Sequence, residues 1–262
     1  MIVIGERING MFKAVNQAIQ ERDKAAIQDL AKRQLAEGAD MLDINVGTAA
    51  ADPVDAMKWL VECVREVTDA PLSIDNPNLP TMKAGLEACS GRKMINSTIG
   101  SDEALDTYLN LAREHSAMVV CLCIDEKGVP VDVEGRVEIA MRVLAKAMEY
   151  EIPMDDIFID PIVLPVKADQ TGPGKVLESI KQFTMLSDPS PHIVIGLSNL
   201  SQGAVDRKLI NRTFLTMAIA QGLDAAILDP LDTELMDAMI TAEMLMNRTI
   251  YSDSFLKAYR QK

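Results

Sequence analysis

The chain has 262 residues and a formal net charge of −13, from 26 Lys and Arg against 39 Asp and Glu. This acidic balance argues against binding to nucleic acid or to an anionic membrane, because both require a basic patch. No apolar run is long enough for a transmembrane helix, and the first residues lack the basic segment of a signal peptide. Four cysteines are too few for a disulfide framework, so the composition predicts a cytoplasmic globular protein.

Short β-branched segments alternate with helical segments along the whole chain. Several of the strand segments are apolar on both faces, as buried parallel strands should be. Eight strand–helix units in this length predict an α/β fold, a single-domain (β/α)8 TIM barrel over residues 1–262. A doubly wound open sheet is the alternative, but no Gly-x-Gly-x-x-Gly follows the first strand. The predicted strands are residues 2–6, 40–46, 71–75, 93–97, 118–124, 156–160, 193–198 and 225–229.

Local signals predict the ends and the buried faces of several helices. Asp52 followed by Pro53 indicates a helix N-cap with proline in the first turn. Gly38 and Gly222 indicate helix C-termini, because glycine readily adopts the left-handed conformation that ends a helix. Two buried apolar stripes are predicted, one at Val54, Met57, Val61, Val64 and Val67, the other at Val137, Met141, Leu144 and Met148.

Polar side chains stand at or just after the carboxyl end of every predicted strand. Barrel enzymes build their sites at that end. Contact with solvent explains a polar residue at any single strand end, but it does not explain a regular set of short Asp and Asn side chains. The set comprises Glu6, Asp43, Asn45, Asp75, Asn96, Asp125, Asp160, Ser198, Asn199 and Asp229.

Short acidic and amide side chains predict a ligand that is recognised through hydrogen bonds. A pterin suits them, because its ring N–H and its exocyclic amine can both donate to one carboxylate. An Asn side chain offers a donor and an acceptor together for the other ring edges. A phosphate-binding barrel would need Gly-rich loops after the last two strands, and the segment Asp229-Pro230-Leu231-Asp232 would repel phosphate.

Six short motifs resemble the pterin-binding methyltransferases, in the same order and over nearly the whole chain. The nearest resemblance is to methyltetrahydrofolate:corrinoid/iron–sulfur protein methyltransferase, and the folate domain of cobalamin-dependent methionine synthase is a more distant relative. The motifs are Gly5-Glu6-Arg7-Ile8-Asn9-Gly10, Asp43-Ile44-Asn45-Val46-Gly47, Ser73-Ile74-Asp75, Ile95-Asn96-Ser97, Ile159-Asp160-Pro161 with Leu164-Pro165, and Gly196-Leu197-Ser198-Asn199.

The resemblance implies an activity and a set of partners. Such a barrel, usually a homodimer, moves a methyl group between N5 of tetrahydrofolate and the cobalt of a corrinoid. The folate, as tetrahydrofolate or 5-methyltetrahydrofolate, is a substrate. The corrinoid, a cobalamin, is carried on a separate corrinoid protein.

The resemblance also assigns roles to residues of this chain. Asp75, Asn96 and Asp160 match the residues that hold the pterin ring, and Asn199 matches the asparagine that contacts N5. Relatives can carry a lysine where this chain has Thr184, so the folate tail carboxylates would depend more on Arg207 and Lys208. Gln202 and Arg207 match neighbours of the aminobenzoate and glutamate part, and further candidates for folate binding are Glu6, Asp43, Asn45 and Ser198.

The reaction chemistry restricts what Asn199 can do. A methyl group on N5 is a poor electrophile unless N5 receives a proton or a strong hydrogen bond, because the amine is a poor leaving group. An amide does not ionise, so Asn199 would be the catalytic residue that stabilises N5 by hydrogen bonding. The proton would come through water or from Asp75 or Asp160.

Two other functions fit the same pattern of residues. A dihydropteroate synthase-like pterin enzyme would need a basic cluster after the seventh strand, where this chain has Ser198-Asn199-Leu200. A non-catalytic folate- or corrinoid-binding subunit is the second alternative, which the complete polar set makes less favourable.

Several other features are interpreted as structural. Cys121 and Cys123 are expected to pack in the barrel wall, and with His115 and His192 lacking ligand spacing, no metal site is predicted. His192 precedes the seventh strand and is excluded from the site. The segment Thr171-Gly172-Pro173-Gly174-Lys175 lacks the first glycine of a phosphate loop and is expected to be an ordinary loop after Asp160.

Overall fold

The structure, a computed structural model, describes residues 1–48 and 50–260. Its strands form a closed parallel barrel in which each strand pairs with its neighbours in the chain and β1 pairs with β8. The predicted single-domain (β/α)8 TIM barrel is confirmed, and all eight predicted strands are present with shifted ends. The strands are β1 (Ile2–Asn9), β2 (Met41–Asn45), β3 (Leu72–Asp75), β4 (Lys93–Ile99), β5 (Met118–Leu122), β6 (Ile157–Asp160), β7 (His192–Gly196) and β8 (Ala225–Leu228).

Helices cover the outside of the barrel, and most connect one strand to the next. A single 3-10 turn, Met154–Asp156, precedes β6. None of the helices in the described ranges is long and apolar enough to cross a membrane. The helices are α1 (Lys13–Glu21), α2 (Lys24–Ala36), α3 (Pro53–Arg65), α4 (Leu79–Ala88), α5 (Asp102–His115), α6 (Val133–Glu149), α7 (Gly172–Phe183), α8 (Leu197–Leu200), α9 (Arg207–Gln221), α10 (Thr233–Leu245) and α11 (Phe255–Arg260).

The inward-facing rows of the strands change from apolar to polar along the barrel axis. Successive side chains on a strand point to opposite faces, so residues two apart share a face. Ile4, Met41, Met94 and Phe158 belong to the buried cluster that fills the barrel interior. Two positions further along the same strands, the same face carries Glu6, Asp43, Asn96 and Asp160. The closed barrel therefore directs these polar side chains towards one axis, next to the apolar cluster that fills the barrel interior.

The predicted helix ends are confirmed. The Asp52 carboxylate accepts hydrogen bonds from the backbone N–H groups of Val54 and Asp55, both 3.1 Å long, with proline in the first turn of α3. Gly38 follows α2 with φ of 99°, and Gly222 ends α9 with φ of 114°. Both glycines adopt the left-handed conformation that L side chains avoid.

The predicted buried stripe of α6 is half right: Leu144 is buried and Val137 packs against the core, but the two methionines are exposed. Met141 is 57% exposed and Met148 is 72% exposed, whereas Ile139, Ala140, Val143, Leu144 and Ala147 are buried. Apolar residues occur on two overlapping faces of this helix, and the buried face is the one with branched residues and alanines. In α3 the central residues of the predicted stripe are buried, but Val54 is 40% exposed because it lies in the first turn.

The glycine-rich segment 171–175 also differs from expectation. It is not a loop, because Gly172 to Lys175 form the first turn of α7. Pro173 suits that position, since the first turn of a helix needs no N–H donor from it. Cys121 and Cys123 are fully buried in and next to β5, and burial raises the pKa of the Cys121 thiol to about 12, in agreement with a packing role.

Candidate functional site

Asp43 is the centre of a buried hydrogen-bond network on β2, β3 and β4. Its side chain is only 2% exposed. The Asp43 Oδ1 atom accepts hydrogen bonds from Ser73 Oγ at 2.6 Å and from Asn96 Nδ2 at 3.0 Å. Because the amide nitrogen of Asn96 is used in this way, its Oδ1 is the side-chain atom that can accept a hydrogen bond from a ligand.

Asn45 holds the neighbouring carboxylate of Asp75. Its Nδ2 atom donates to Asp75 Oδ2 at 2.6 Å, and its Oδ1 accepts the backbone N–H of Gly47 at 2.7 Å. Gly47 has φ of 70°, and a Cβ atom there would lie 2.6 Å from the carbonyl carbon of Gly10. The close approach of the two loops therefore requires glycine, and it fixes the Asn45 amide that orients Asp75.

Asp43 and Asp75 form a pair of interacting buried acids. Burial raises the pKa of Asp43 well above its usual range, and the negative charge of Asp75 raises it further, against the hydrogen bonds from Ser73 and Asn96. Burial also raises the pKa of Asp75, while hydrogen bonds from Asn45 and Asp43 lower it. Two carboxyls this close do not both ionise readily, so the pair retains a proton into the pH range where an isolated Asp is charged.

Asp160 reaches the same mouth from the end of β6. Its Oδ1 atom accepts the backbone N–H of Ile162 at 2.7 Å, and the side chain is 8% exposed. Burial raises its pKa to about 7, against the lowering effect of that hydrogen bond. Ile162 itself has φ of 65°, an unfavourable conformation for a β-branched residue. The turn after β6 thus holds a buried acid that titrates near neutral pH.

Glu6, on β1, is joined to the segment after β7. Ser198 Oγ donates to Glu6 Oε1 at 2.7 Å. Burial raises the pKa of Glu6 and the Asp229 charge adds to the rise, whereas the Ser198 hydrogen bond, Arg7 and Arg207 lower it. Arg207 in turn donates from Nη2 to the Ser198 carbonyl at 3.0 Å.

The segment that follows β7 exposes the predicted folate-contacting side chains. Asn199 lies in the single turn α8 and is exposed, as are Gln202 and Arg207. A Cβ atom on Gly196 would lie 2.9 Å from Asn199 Nδ2, so the glycine leaves room for the amide over the end of the strand. Arg207 is fixed by a second hydrogen bond from Nε to Ser201 Oγ at 3.1 Å.

Most of the predicted site residues meet at the carboxyl end of the barrel. Asp43 is 2% exposed and accepts hydrogen bonds from Ser73 and Asn96, and its contact with folate stays a prediction. Asp125 does not face the barrel axis, because its carboxylate lies 3.8 Å from Arg142 on α6 and the inward row of β5 ends in an apolar residue.

The sequence analysis did not single out Ser73 and Arg7. Ser73 lies two positions before Asp75 on the same face of β3, a spacing that could have identified it. Arg7 has its guanidinium 4.2 Å from the Phe12 ring and 3.4 Å from Asp229. No spacing rule predicts the contact of Arg7 with Asp229, because it joins β1 to the loop after β8.

Thr184 lies at the opposite end of the barrel. It ends α7, and its Cγ2 atom would lie 2.5 Å from a Cβ on Gly222, which directly precedes β8. Helix C-termini lead into the amino-terminal ends of the strands, far from the mouth. The expected effect of Thr184 on the folate tail therefore has no structural basis.

His192 also lies at the amino-terminal end of the barrel, outside the site as predicted. Its Nδ1 atom pairs with Asp224 at 2.7 Å, which raises the pKa of the imidazole. Within residues 1–48 and 50–260, no three His, Cys, Asp or Glu side chains are arranged to hold a metal ion.

A TIM barrel whose inward rows end in carboxyl and amide groups defines a class of small-molecule-binding barrels with a hydrogen-bonding mouth. The pterin binding enzymes match residues 7–229 of this chain, so the chain belongs to that family.

Three named proteins illustrate what this chain is similar to. The methylcorrinoid:tetrahydrofolate methyltransferase of Eubacterium limosum is 32% identical over the whole chain and 97% of the relative. A methionine synthase from Mycobacterium leprae is 32% identical over 87% of this chain, and the aligned part covers 20% of that larger protein. The structure of a dihydropteroate synthase from Coxiella burnetii in complex with pteroic acid superimposes with a TM-score of 0.69, over 95% of this chain and 94% of the synthase. The sequence identity is 14%, so this similarity shows a shared fold alone.

Burial of Asp160 predicts a pH-dependent stability. When an acid has a higher pKa in the folded state than in the unfolded state, the free energy of unfolding falls as pH rises between the two pKa values. For Asp160 this range is from about 4 to about 7. We expect Asp160→Asn to remove this loss, so the variant gains in free energy of unfolding relative to the parent as pH rises. Urea unfolding at several pH values measures it. Asp155→Asn, on an exposed aspartate, is the control, and equal profiles for both variants would contradict the burial argument.

Proposed function

We propose that this protein transfers a methyl group between N5 of tetrahydrofolate and the cobalt of a corrinoid. One structural observation carries the proposal: Asp75, Asn96 and Asp160 present acceptor atoms at one barrel mouth, each fixed by neighbouring groups. The similarity to a methylcorrinoid:tetrahydrofolate methyltransferase over the full chain supports this activity over others in the family.

The hydrogen-bonding capacity of the mouth fits a pterin ring. A pterin presents an N–H and an amine side by side, which match a carboxylate such as Asp75. Asn96 Oδ1 adds an acceptor, since its amide nitrogen is bonded to Asp43 at 3.0 Å. Asn45, Glu6 and Ser198 hold or flank these groups and complete the proposed folate site.

Asn199 and Asp160 are proposed to act on N5. The exposed Asn199 amide would donate to N5 and stabilise the charge change there, as a preorganised dipole does. Asp160 has a pKa of about 7, so near neutral pH it is able both to donate and to accept a proton. Asp160 would then supply or remove the N5 proton, directly or through water.

The exposed segment after β7 is proposed to bind the folate tail. Arg207 offers a positive charge, held by Ser198 and Ser201, to the glutamate carboxylate. Gln202 lies beside it and would contact the aminobenzoate part. The corrinoid, carried on a corrinoid protein, would approach the same open mouth. This approach would place the cobalt, the methyl carbon and N5 in line.

The cellular context is part of the proposal. We propose that residues 1–262 act as one catalytic domain in the cytoplasm, with no nucleic-acid or membrane partner, in line with the acidic composition. A dihydropteroate synthase-like activity is not supported, because the Ser198-Asn199-Leu200 segment supplies no basic pair.

The reaction class is tested with purified protein, methylcob(III)alamin and tetrahydrofolate under anaerobic conditions. We expect 5-methyltetrahydrofolate to form, detected by mass, together with a change in the corrin spectrum. Folate binding without transfer, including with corrinoid proteins, would favour a binding subunit. Absence of folate binding would contradict the proposed site.

Asn199→Ala tests the role at N5. We expect kcat to fall by about 100-fold, the size found when one preorganised donor is removed. Folate affinity, measured separately by calorimetry, should change much less. Gln202→Ala is the matched control on the same exposed segment and should affect affinity without affecting kcat. An unchanged kcat in Asn199→Ala would rule out the transition-state role.

The raised pKa of Asp160 predicts that the rate of methyl transfer from 5-methyltetrahydrofolate depends on pH. The acid form is needed in this direction, so kcat/KM should fall as pH rises through about 7. Asp160→Asn should flatten that limb of the profile, since the amide does not titrate. Persistence of the limb in the variant would assign the proton to another group.

A homodimer is proposed from the family resemblance, and the outer face of α9 and α10 is the proposed contact. Met217 and Leu245 are 48% and 74% exposed there, beside a groove lined in part by Ala220 and Ala238. We expect sedimentation to give a dimer that Ala238→Glu dissociates and that Thr107→Glu, an exposed site on α5, leaves intact. A monomeric parent protein would contradict the proposal.

A further inference from the structure

Arg136 is a buried cation that the proposed reaction does not use. It lies in the first turns of α6, and its side chain is 3% exposed. No carboxylate oxygen in the described residues lies within ion-pair distance of its guanidinium. Burial of an unpaired charge is costly, and it lowers the pKa of Arg136.

The hydrogen bonds of Arg136 are directed to backbone carbonyls. Its Nε atom donates to the carbonyl of Pro161 at 2.9 Å, in a fully buried contact. Its Nη1 donates to the carbonyl of Asp132, the residue that caps α6, at 3.3 Å. The guanidinium therefore connects the start of α6 to the turn that follows β6.

The Pro161 carbonyl belongs to the peptide unit that aims Asp160. The N–H of the same peptide unit belongs to Ile162, and it donates to Asp160 Oδ1 at 2.7 Å. Ile162 adopts φ of 65°, which a β-branched side chain avoids unless its surroundings enforce it. The bond from Arg136 to the carbonyl of the same peptide unit is the contact placed to enforce it.

We propose that Arg136 is a positioning residue for Asp160, holding the 160–162 turn so that the Ile162 N–H remains on the Asp160 carboxyl. The inference rests on the proposed function in so far as Asp160 handles the N5 proton. Arg136 acts through one peptide unit, that of Pro161 and Ile162.

The surrounding charged groups are few. Cys123, just past β5, interacts electrostatically with both Asp160 and Arg136, and its thiol has a pKa raised by burial. Asp132 and Asp169 interact with Arg136, from the cap of α6 and the loop before α7. The pKa of Asp160 is set by burial and by the Ile162 N–H. Loss of that N–H is therefore the route by which Arg136 would change the titration of Asp160.

The test is the ionisation of Asp160 in the full chain without folate or corrinoid, followed by carbon-13 NMR of the aspartate carboxyls. Asp160→Asn assigns the signal. We expect the midpoint in Arg136→Met to rise by about one pH unit, the effect of losing one hydrogen bond to a carboxylate. Arg136→Lys, which retains a donor, should shift less.

Two further variants separate positioning from general stability. Arg142→Met removes another α6 arginine that donates to a loop carbonyl, that of Gly100 at 2.8 Å, and should leave the midpoint unchanged. Ile162→Gly in the Arg136→Met background should restore the midpoint, because glycine adopts positive φ without strain.

Specific outcomes would overturn the inference. An unshifted midpoint in folded Arg136→Met would do so, as would an equal shift in Arg142→Met. If Arg136→Met does not fold, an unshifted midpoint in Arg136→Lys combined with loss of the Pro161 contact, seen in its structure, would have the same consequence. Because no folate is present, these results do not depend on whether the methyl transfer occurs.

Discussion

The buried carboxyl of Asp43 is the group on which the arrangement of the mouth depends. It accepts hydrogen bonds from Ser73 and Asn96 and interacts with Asp75, so it links three adjacent strands. Its burial is possible because those donors compensate the lost water and because a proton is retained in the pair. The side chains of Asn96 and Asp75 are thereby oriented by groups of the chain itself, and preorganisation of this kind lowers the cost of binding a ligand.

A second constraint acts on the other side of the barrel, where Asp160 is held by one backbone N–H. The two halves of the mouth differ in chemistry. Asp43 and Asp75 are held by neighbouring side chains, whereas the carboxyl of Asp160 accepts one backbone N–H within the described residues and has a pKa of about 7. Groups with separated roles of this kind suit an enzyme that must both grip a ring and move a proton. In the proposed mechanism, the left-handed Ile162 and the buried Arg136 support Asp160, the group that handles the proton.

Much of this arrangement could be predicted from the chain itself. The strand pattern and its polar ends gave the barrel and placed Asp75, Asn96 and Asp160 at one mouth, because residue alternation in a strand is strictly local. Met141 and Met148 were wrongly expected to be buried because α6 has apolar residues on two overlapping faces, and spacing alone does not decide which face meets the core. Thr184 was expected to affect the folate tail, but it follows the last turn of α7 and so lies at the end of the barrel opposite the mouth. A motif comparison does not say at which end of the barrel a residue lies.

The sequence by itself determined the fold class, the helix ends and the identity of the mouth residues, since each depends on periodicity or on neighbouring residues. Only the tertiary structure decided which polar groups hydrogen-bond to one another. Asp43 is bonded to Ser73 and Asn96, Asn45 holds Asp75, and Arg136 reaches the turn at Pro161 across 25 residues of chain. Such contacts arise when barrel closure brings separate strands and helices together, and burial then fixes their hydrogen bonds and pKa values.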